Sequence, residues 1–187
     1  MEIPQGPARV PAAATDVVRV FFALVPDRAV TAQFTALAKD VARRARGRAV
    51  AAHHVHLTLA FLGDVAASSV PALRRIGDAL PHAGAVLEFD TLGSWRASGV
   101  AWIAPRELPL PVVALHDALH RALGAAGYPL DTRPFRPHLT LARRCLHPVS
   151  RAPCAPVRWN VDRLSLIGSE LTPEGPIYTE LAVWTLD

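Results

Sequence analysis

Apolar and polar positions alternate with a period of two over several short runs of this chain, and with a helical period over others. Val17 to Val25 (VVRVFFALV) is β-branched and aromatic, which predicts a strand. Pro26 and Asp27 end it and open a helix that runs to about Arg46, because Val30, Phe34, Leu37, Ala38 and Val41 recur at helical spacing. Val55 to Leu62 reads as a strand closed by Gly63 and Asp64, and Val70 to Leu80 as a short helix ended by Pro81. Val86 to Leu92 and Gly99 to Ala104 are two strands joined through Gly93–Arg96, and Pro109 to Leu123 is a helix stopped by Gly124 and Gly127. Pro137 to Arg143 is the next strand. Pro148 to Pro156 reads as a loop, Val157 to Leu166 and Ile177 to Leu186 as strands, and Ser169 to Pro176 as the turn between them. Strands with helices that do not alternate regularly favour an α+β fold with antiparallel sheets.

Two of these strands carry one pentapeptide. Residues 56–60 and 138–142 both read His-Leu-Thr-Leu-Ala. A strand sends alternate side chains to opposite faces. His56 and Thr58 therefore share a face, opposite Leu57 and Leu59, and His138 and Thr140 do the same against Leu139 and Leu141. Each strand offers a core one apolar face and offers solvent an imidazole and a hydroxyl. The repeat implies a duplication of architecture: two pseudo-symmetric lobes whose motif strands oppose each other across a cleft.

Composition narrows the class. A hydrophobic share of 51% and a charged share of 19% exclude a disordered chain. The 187 residues suit one domain over 17–187, preceded by a Pro- and Ala-rich mobile tail over 1–16. The net charge is +4, with Lys39 the only lysine, and an arginine-rich basic surface suits a polyanion such as RNA. Cys145 and Cys154 fit no zinc or redox spacing and are expected as reduced thiols in a cytoplasmic protein. No apolar run is long enough for a membrane span. The run Arg43, Arg44, Arg46, Arg48 is either a solvated helix end or a set of phosphate contacts.

A single strand histidine is ordinarily structural, and a single strand threonine is ordinarily a good β-former. The pair repeated at one offset marks a site. Two imidazoles suit in-line displacement at phosphorus, where one histidine removes a proton from water and the other supplies one to the departing alkoxide. Thr58 and Thr140 can donate to the non-bridging oxygens as charge grows on them. His53, His54 and His56 resemble a metal cluster only in count, since no acidic or thiol ligand stands at a familiar spacing, so no metal and no cofactor is expected. The chain has no phosphate-binding glycine loop, dinucleotide fingerprint or nucleophile elbow.

The two His-x-Thr motifs resemble those of the 2H phosphoesterase superfamily. Within it, RVFFALVPD at 19–27, HLTLAFLGDV at 56–65, RPFRPHLTLAR at 133–143 and LIGSELTPEGPIY at 166–178 are similar to the RNA 2′,3′-cyclic phosphodiesterases, also called 2′-5′ RNA ligases. The resemblance implies a bilobal pair of antiparallel sheets with outer helices around a central cleft. It implies that His56 donates the proton to the leaving oxygen, that His138 activates water, and that Thr58 and Thr140 hold the phosphate. It also points to Arg143 as a ligand contact. Strict alternation puts Arg143 on the leucine face, so a bulge or strand end is needed to bring it to the cleft. Phe61 poses the same question of parity, as a core residue or a base-stacking one. Arg136 either faces the cleft or braces the turn.

The expected activity is metal-independent opening of RNA 2′,3′-cyclic phosphate ends to 2′-phosphomonoesters by a monomer, with 2′-5′ ligation as the reverse reaction. The alternatives are a phosphodiesterase for small cyclic nucleotides or ADP-ribose cyclic phosphate, and an RNA- or nucleotide-binding module with little turnover. The family often carries an aromatic residue and a proline ahead of the first motif, where this chain has Ala49, Val50, Ala51, Ala52, His53 and His54.

Overall fold

A computed structural model describes residues 16–173 and 175–187. Of the expected tail, all but Asp16 lies outside these residues. The chain runs β1 (Val17–Leu24), α1 (Arg28–Ala45), β2 (Arg48–Ala49), β3 (Leu57–Ala66), α2 (Val70–Asp78), β4 (Ala85–Trp95), β5 (Val100–Pro105), α3 (Leu110–Ala125), β6 (Leu139–Arg143), β7 (Ala152–Val161), β8 (Arg163–Thr172) and β9 (Gly175–Thr185). The strands form two sheets, one in the order β3-β1-β8-β9 and the other β2-β6-β5-β4-β7, with every pairing antiparallel. The fold is α+β and pseudo-symmetric: β1–α1–β3 in one lobe answers to β5–α3–β6 in the other. The helices cross over, α1 packing on the sheet that holds β6 and α3 reaching β3.

Local chemistry accounts for the helices. Asp27 caps α1, its carboxylate accepting from the Val30 amide at 2.8 Å, a contact worth about 1 kcal/mol at such a position. The apolar stripe Val30, Phe34, Ala38, Val41, Ala42 and Ala45 is buried. Phe34 meets Phe89 of β4 edge-on, with centroids 5.2 Å apart, and Phe89 stacks on Trp159 of β7. Removing a fully buried aromatic such as Phe34 costs about 3–5 kcal/mol. Arg43 and Arg44 at the end of α1 both pair with Asp40, so of the two readings of that run the solvated helix end holds for these two residues.

The strand boundaries depart from the sequence reading in several places, and β4 runs on through Gly93 and Ser94 to Trp95 where a connection is expected. Both motif strands begin one residue after their histidine, at Leu57 and Leu139. Gly63 and Asp64 do not close the first of them: Gly63 takes φ +70 at a bulge and β3 continues to Ala66. The run Val157 to Leu166 is two strands in different sheets, with a corner at Asp162, and β7 begins at Ala152 inside the expected loop. Pro153 and Pro156 are accommodated because β7 is an edge strand, where a missing backbone N–H breaks no ladder. The expected turn 169–176 is mostly hairpin, β8 running to Thr172 and β9 starting at Gly175.

Candidate active site

The two motif histidines are held alike. The His56 Nδ1 lies 2.8 Å from the carbonyl oxygen of His54, and the His138 Nδ1 lies 2.7 Å from that of Arg136. A carbonyl only accepts, so each Nδ1 carries the proton and each Nε2 is left with its lone pair. An aromatic ring stands edge-on to each imidazole. Trp95 meets His138 at 4.5 Å and 81°, and Tyr178 meets His56 at 5.6 Å and 77°. Phe21 adds a third wall, 5.0 Å from the His56 ring. Sequence reasoning misses Trp95, Tyr178 and Phe21, because they come from β4, β9 and β1, and no local spacing ties them to the motifs.

Thr58 and Thr140 are half-buried, and among the described residues neither hydroxyl is engaged by another protein group. Past them the two strands break alternation in the same way. In β3 the register with β1 slips between Phe22–Ala60 and Ala23–Thr58, leaving Leu59 as the extra residue. In β6 the register with β5 slips between Ala101–Ala142 and Trp102–Thr140, leaving Leu141 as the extra one. Leu59 and Ala60 are then both buried, as are Leu141 and Ala142. The parity flips, and the next residues, Phe61 and Arg143, join the histidine face. Phe61 is 54% exposed and lines a groove of about 820 Å³ together with Trp95, His116, Phe135, Arg136 and His138. A smaller pocket of about 230 Å³ opens at His56 and Tyr178. The carbonyl of Arg136 accepts from His138, and Arg136, an exposed residue, is among those that line the groove.

Electrostatics place Arg143 among the histidines. Burial pushes the His56 imidazole down to about 4; the His54 carbonyl opposes this, and the charges of Arg143, His54 and His138 add to it. Burial also lowers His138, against the Arg136 carbonyl and with Arg143. In the free protein both rings are therefore driven toward the neutral form, and a bound anion would reverse the charge part of that.

The altered stretch 49–54 is a short piece of β2 and one 3₁₀ turn. The Val50 amide donates to the Leu141 carbonyl at 2.9 Å, and His54 donates from Nε2 to Pro176 at 2.7 Å. Among the described residues no group of three or more His, Cys, Asp or Glu side chains is arranged to hold a metal ion, and no helix is long and apolar enough to cross a membrane.

Known proteins are similar to this chain in sequence and in fold. A family model for the 2′-5′ RNA ligase superfamily matches residues 25–172. The RNA 2′,3′-cyclic phosphodiesterase of Escherichia coli (strain K12) is 34% identical over 142 residues, which covers 75% of this chain and 80% of the relative. The RNA 2′,3′-cyclic phosphodiesterase of Thermus thermophilus is also 34% identical, over 90% of each chain. The crystal structure of E. coli LigT complexed with 3′-AMP superimposes with a TM-score of 0.83 at 31% identity, covering 91% of this chain and 99% of that one. The doubled His-x-Thr strands, the two antiparallel sheets and these likenesses lead to one assignment: the chain belongs to the 2′-5′ RNA ligase superfamily.

Proposed function

We propose that this protein hydrolyses RNA 2′,3′-cyclic phosphate ends to 2′-phosphomonoesters, using His56 and His138 as an acid and base pair. The observation that carries the reading is the matched tethering of the two imidazoles, each with Nδ1–H on the carbonyl two residues back and Nε2 unengaged among the described residues. His138 Nε2 takes a proton from water as its oxygen attacks phosphorus. The P–O3′ bond breaks, and His56 Nε2–H protonates the departing 3′-oxygen. One water is consumed, and the phosphate stays on the 2′-oxygen. Thr58, Thr140 and Arg143 stabilise the non-bridging oxygens, where charge accumulates. Phe61 and Arg136 contact the nucleoside in the groove.

The names of the relatives, RNA 2′,3′-cyclic phosphodiesterase, support this substrate over a free cyclic nucleotide. Since the histidines supply both proton transfers, the reaction needs no metal. A 5′-hydroxyl in place of water gives 2′-5′ ligation with the same groups. Both histidines come from one chain, so a monomer suffices, and the free thiols of Cys145 and Cys154 support a cytoplasmic setting. The deciding experiment is product analysis on an RNA ending in a 2′,3′-cyclic phosphate, with excess EDTA present. A 2′-phosphomonoester is expected. A 3′-phosphate, or no turnover until a metal is restored, overturns the proposal.

A further inference from the structure

Arg48 lies directly across from Arg143 in the β2–β6 ladder. Directly opposed residues of an antiparallel pair share a face, with Cβ atoms about 5 Å apart, and like charges placed so are destabilising. Asp40 is taken by Arg43 and Arg44, and among the described residues no carboxylate pairs with Arg48 or Arg143 to offset the repulsion. The chain is nonetheless built to make this pairing. At Gly47 a Cβ would lie 2.7 Å from Cys145 Sγ and 3.0 Å from the Arg143 carbonyl oxygen, so only glycine lets this segment close on β6. Two positive side chains held together without an internal counter-ion suit an external polyanion.

The two arginines differ in reach. The charge of Arg143 is felt at His54, His56, His138 and Tyr178. Arg48, exposed on the short edge strand, is not among the charges acting on either motif histidine. Arg143 therefore stands at the reacting centre and Arg48 one strand farther out.

We infer that Arg48 binds the internucleotide phosphate on the 5′ side of the terminal nucleoside, and that it selects polynucleotide ends over mononucleotides. This rests on the RNA cyclic phosphodiesterase reading above. A guanidinium fork on a phosphate makes charge-assisted paired hydrogen bonds that glutamine cannot replace and lysine replaces only as a point charge.

The test compares wild type, Arg48→Gln and Arg48→Lys on two substrates: a nucleoside 2′,3′-cyclic phosphate, and a dinucleotide ending in the same group. Arg48→Gln is expected to lower the dinucleotide-to-mononucleotide ratio of kcat/KM about tenfold, chiefly through KM, with Arg48→Lys between it and wild type. The log–log salt slope of dinucleotide binding should flatten by about 0.7, the share of one single-strand phosphate contact. An unchanged ratio and slope overturn the inference, as does an equal loss on both substrates, which marks a structural role in β2. Wild-type protein that turns over neither substrate brings down the underlying reading, and the assignment of Arg48 with it.

Discussion

Phe61 and Arg143 occupy the same place in the two lobes, each two residues beyond the bulge of its own motif strand and on the face of its histidine. The bulge is possible because Ala60 and Ala142 are small enough for two consecutive side chains to point inward, where they are 4% and 0% exposed. Pseudo-symmetry thus makes two like wings, and one residue makes them unlike. One wing ends in an aromatic ring beside a groove, the other in a guanidinium whose charge acts on both imidazoles.

That placement predicts a titration effect. The positive charge of Arg143 opposes protonation of both His56 and His138. Arg143→Ala should therefore raise both imidazole pKa values in the free protein, His56 from about 4. Histidine ring resonances followed by NMR through a pH series measure this directly. Values unmoved by the substitution would mean that Arg143 points away from the site.

A second expectation follows from the proposed acid. His56 has to carry a proton when the 3′-oxygen leaves, yet in the free protein it is held down at about 4. An anionic phosphodiester lying between Arg143 and the two rings favours the charged imidazole. Binding of a non-hydrolysable phosphodiester near neutral pH should then take up about one proton. Calorimetry in buffers of differing ionisation enthalpy reads that number. Uptake that persists undiminished in His56→Ala would assign the proton elsewhere.

The same burial has a stability consequence. A histidine lowered on folding is bound by fewer protons in the native state than in the unfolded one between about 4 and 6.5, the native and ordinary values. Stability from this group is complete above pH 6.5 and falls as the pH drops through that window. The loss is on the order of a few kcal/mol, since each tenfold change in proton affinity is worth about 1.4 kcal/mol. Denaturant unfolding at pH 7 and pH 4.5 should show a shallower acid loss in His56→Asn than in wild type. Equal slopes would show that the ring is solvated.

The repeat of His-Leu-Thr-Leu-Ala was legible without coordinates because a period of two fixes which side chains share a face. The α+β class and the paired sheets were legible for the same reason. The facing of Phe61 and Arg143 was not, since a bulge is a property of two paired strands and neither shows it alone. The corner at Asp162 leaves only one local mark in the sequence, two polar residues in succession, Asp162 and Arg163, where the alternation slips. Val157, Trp159 and Val161 bury one face of β7, whereas Leu164 to Gly168 are buried on both faces of β8. Trp95 and Tyr178 reach the imidazoles only through the fold. Each is an ordinary aromatic strand residue until the sheets are placed.

The division of labour between the two histidines can be separated by the leaving group. His56→Ala and His138→Ala should each slow hydrolysis of the natural substrate about 10²–10⁴-fold, the usual worth of a positioned acid or base. The double substitution should cost less than the product of the two, because groups that act as a unit are not additive. A nitrophenyl phosphodiester releases an anion that needs no proton. On that substrate the acid is dispensable, while water still has to be activated. His56→Ala should recover much of the wild-type rate there, and His138→Ala should remain impaired. Rescue confined to His138→Ala would exchange the two roles, with His56, the more deeply buried and more readily neutral ring, acting as the base. Equal rescue of both variants would remove the distinction between acid and base altogether, and the two tethered imidazoles would then have to act by binding the phosphate.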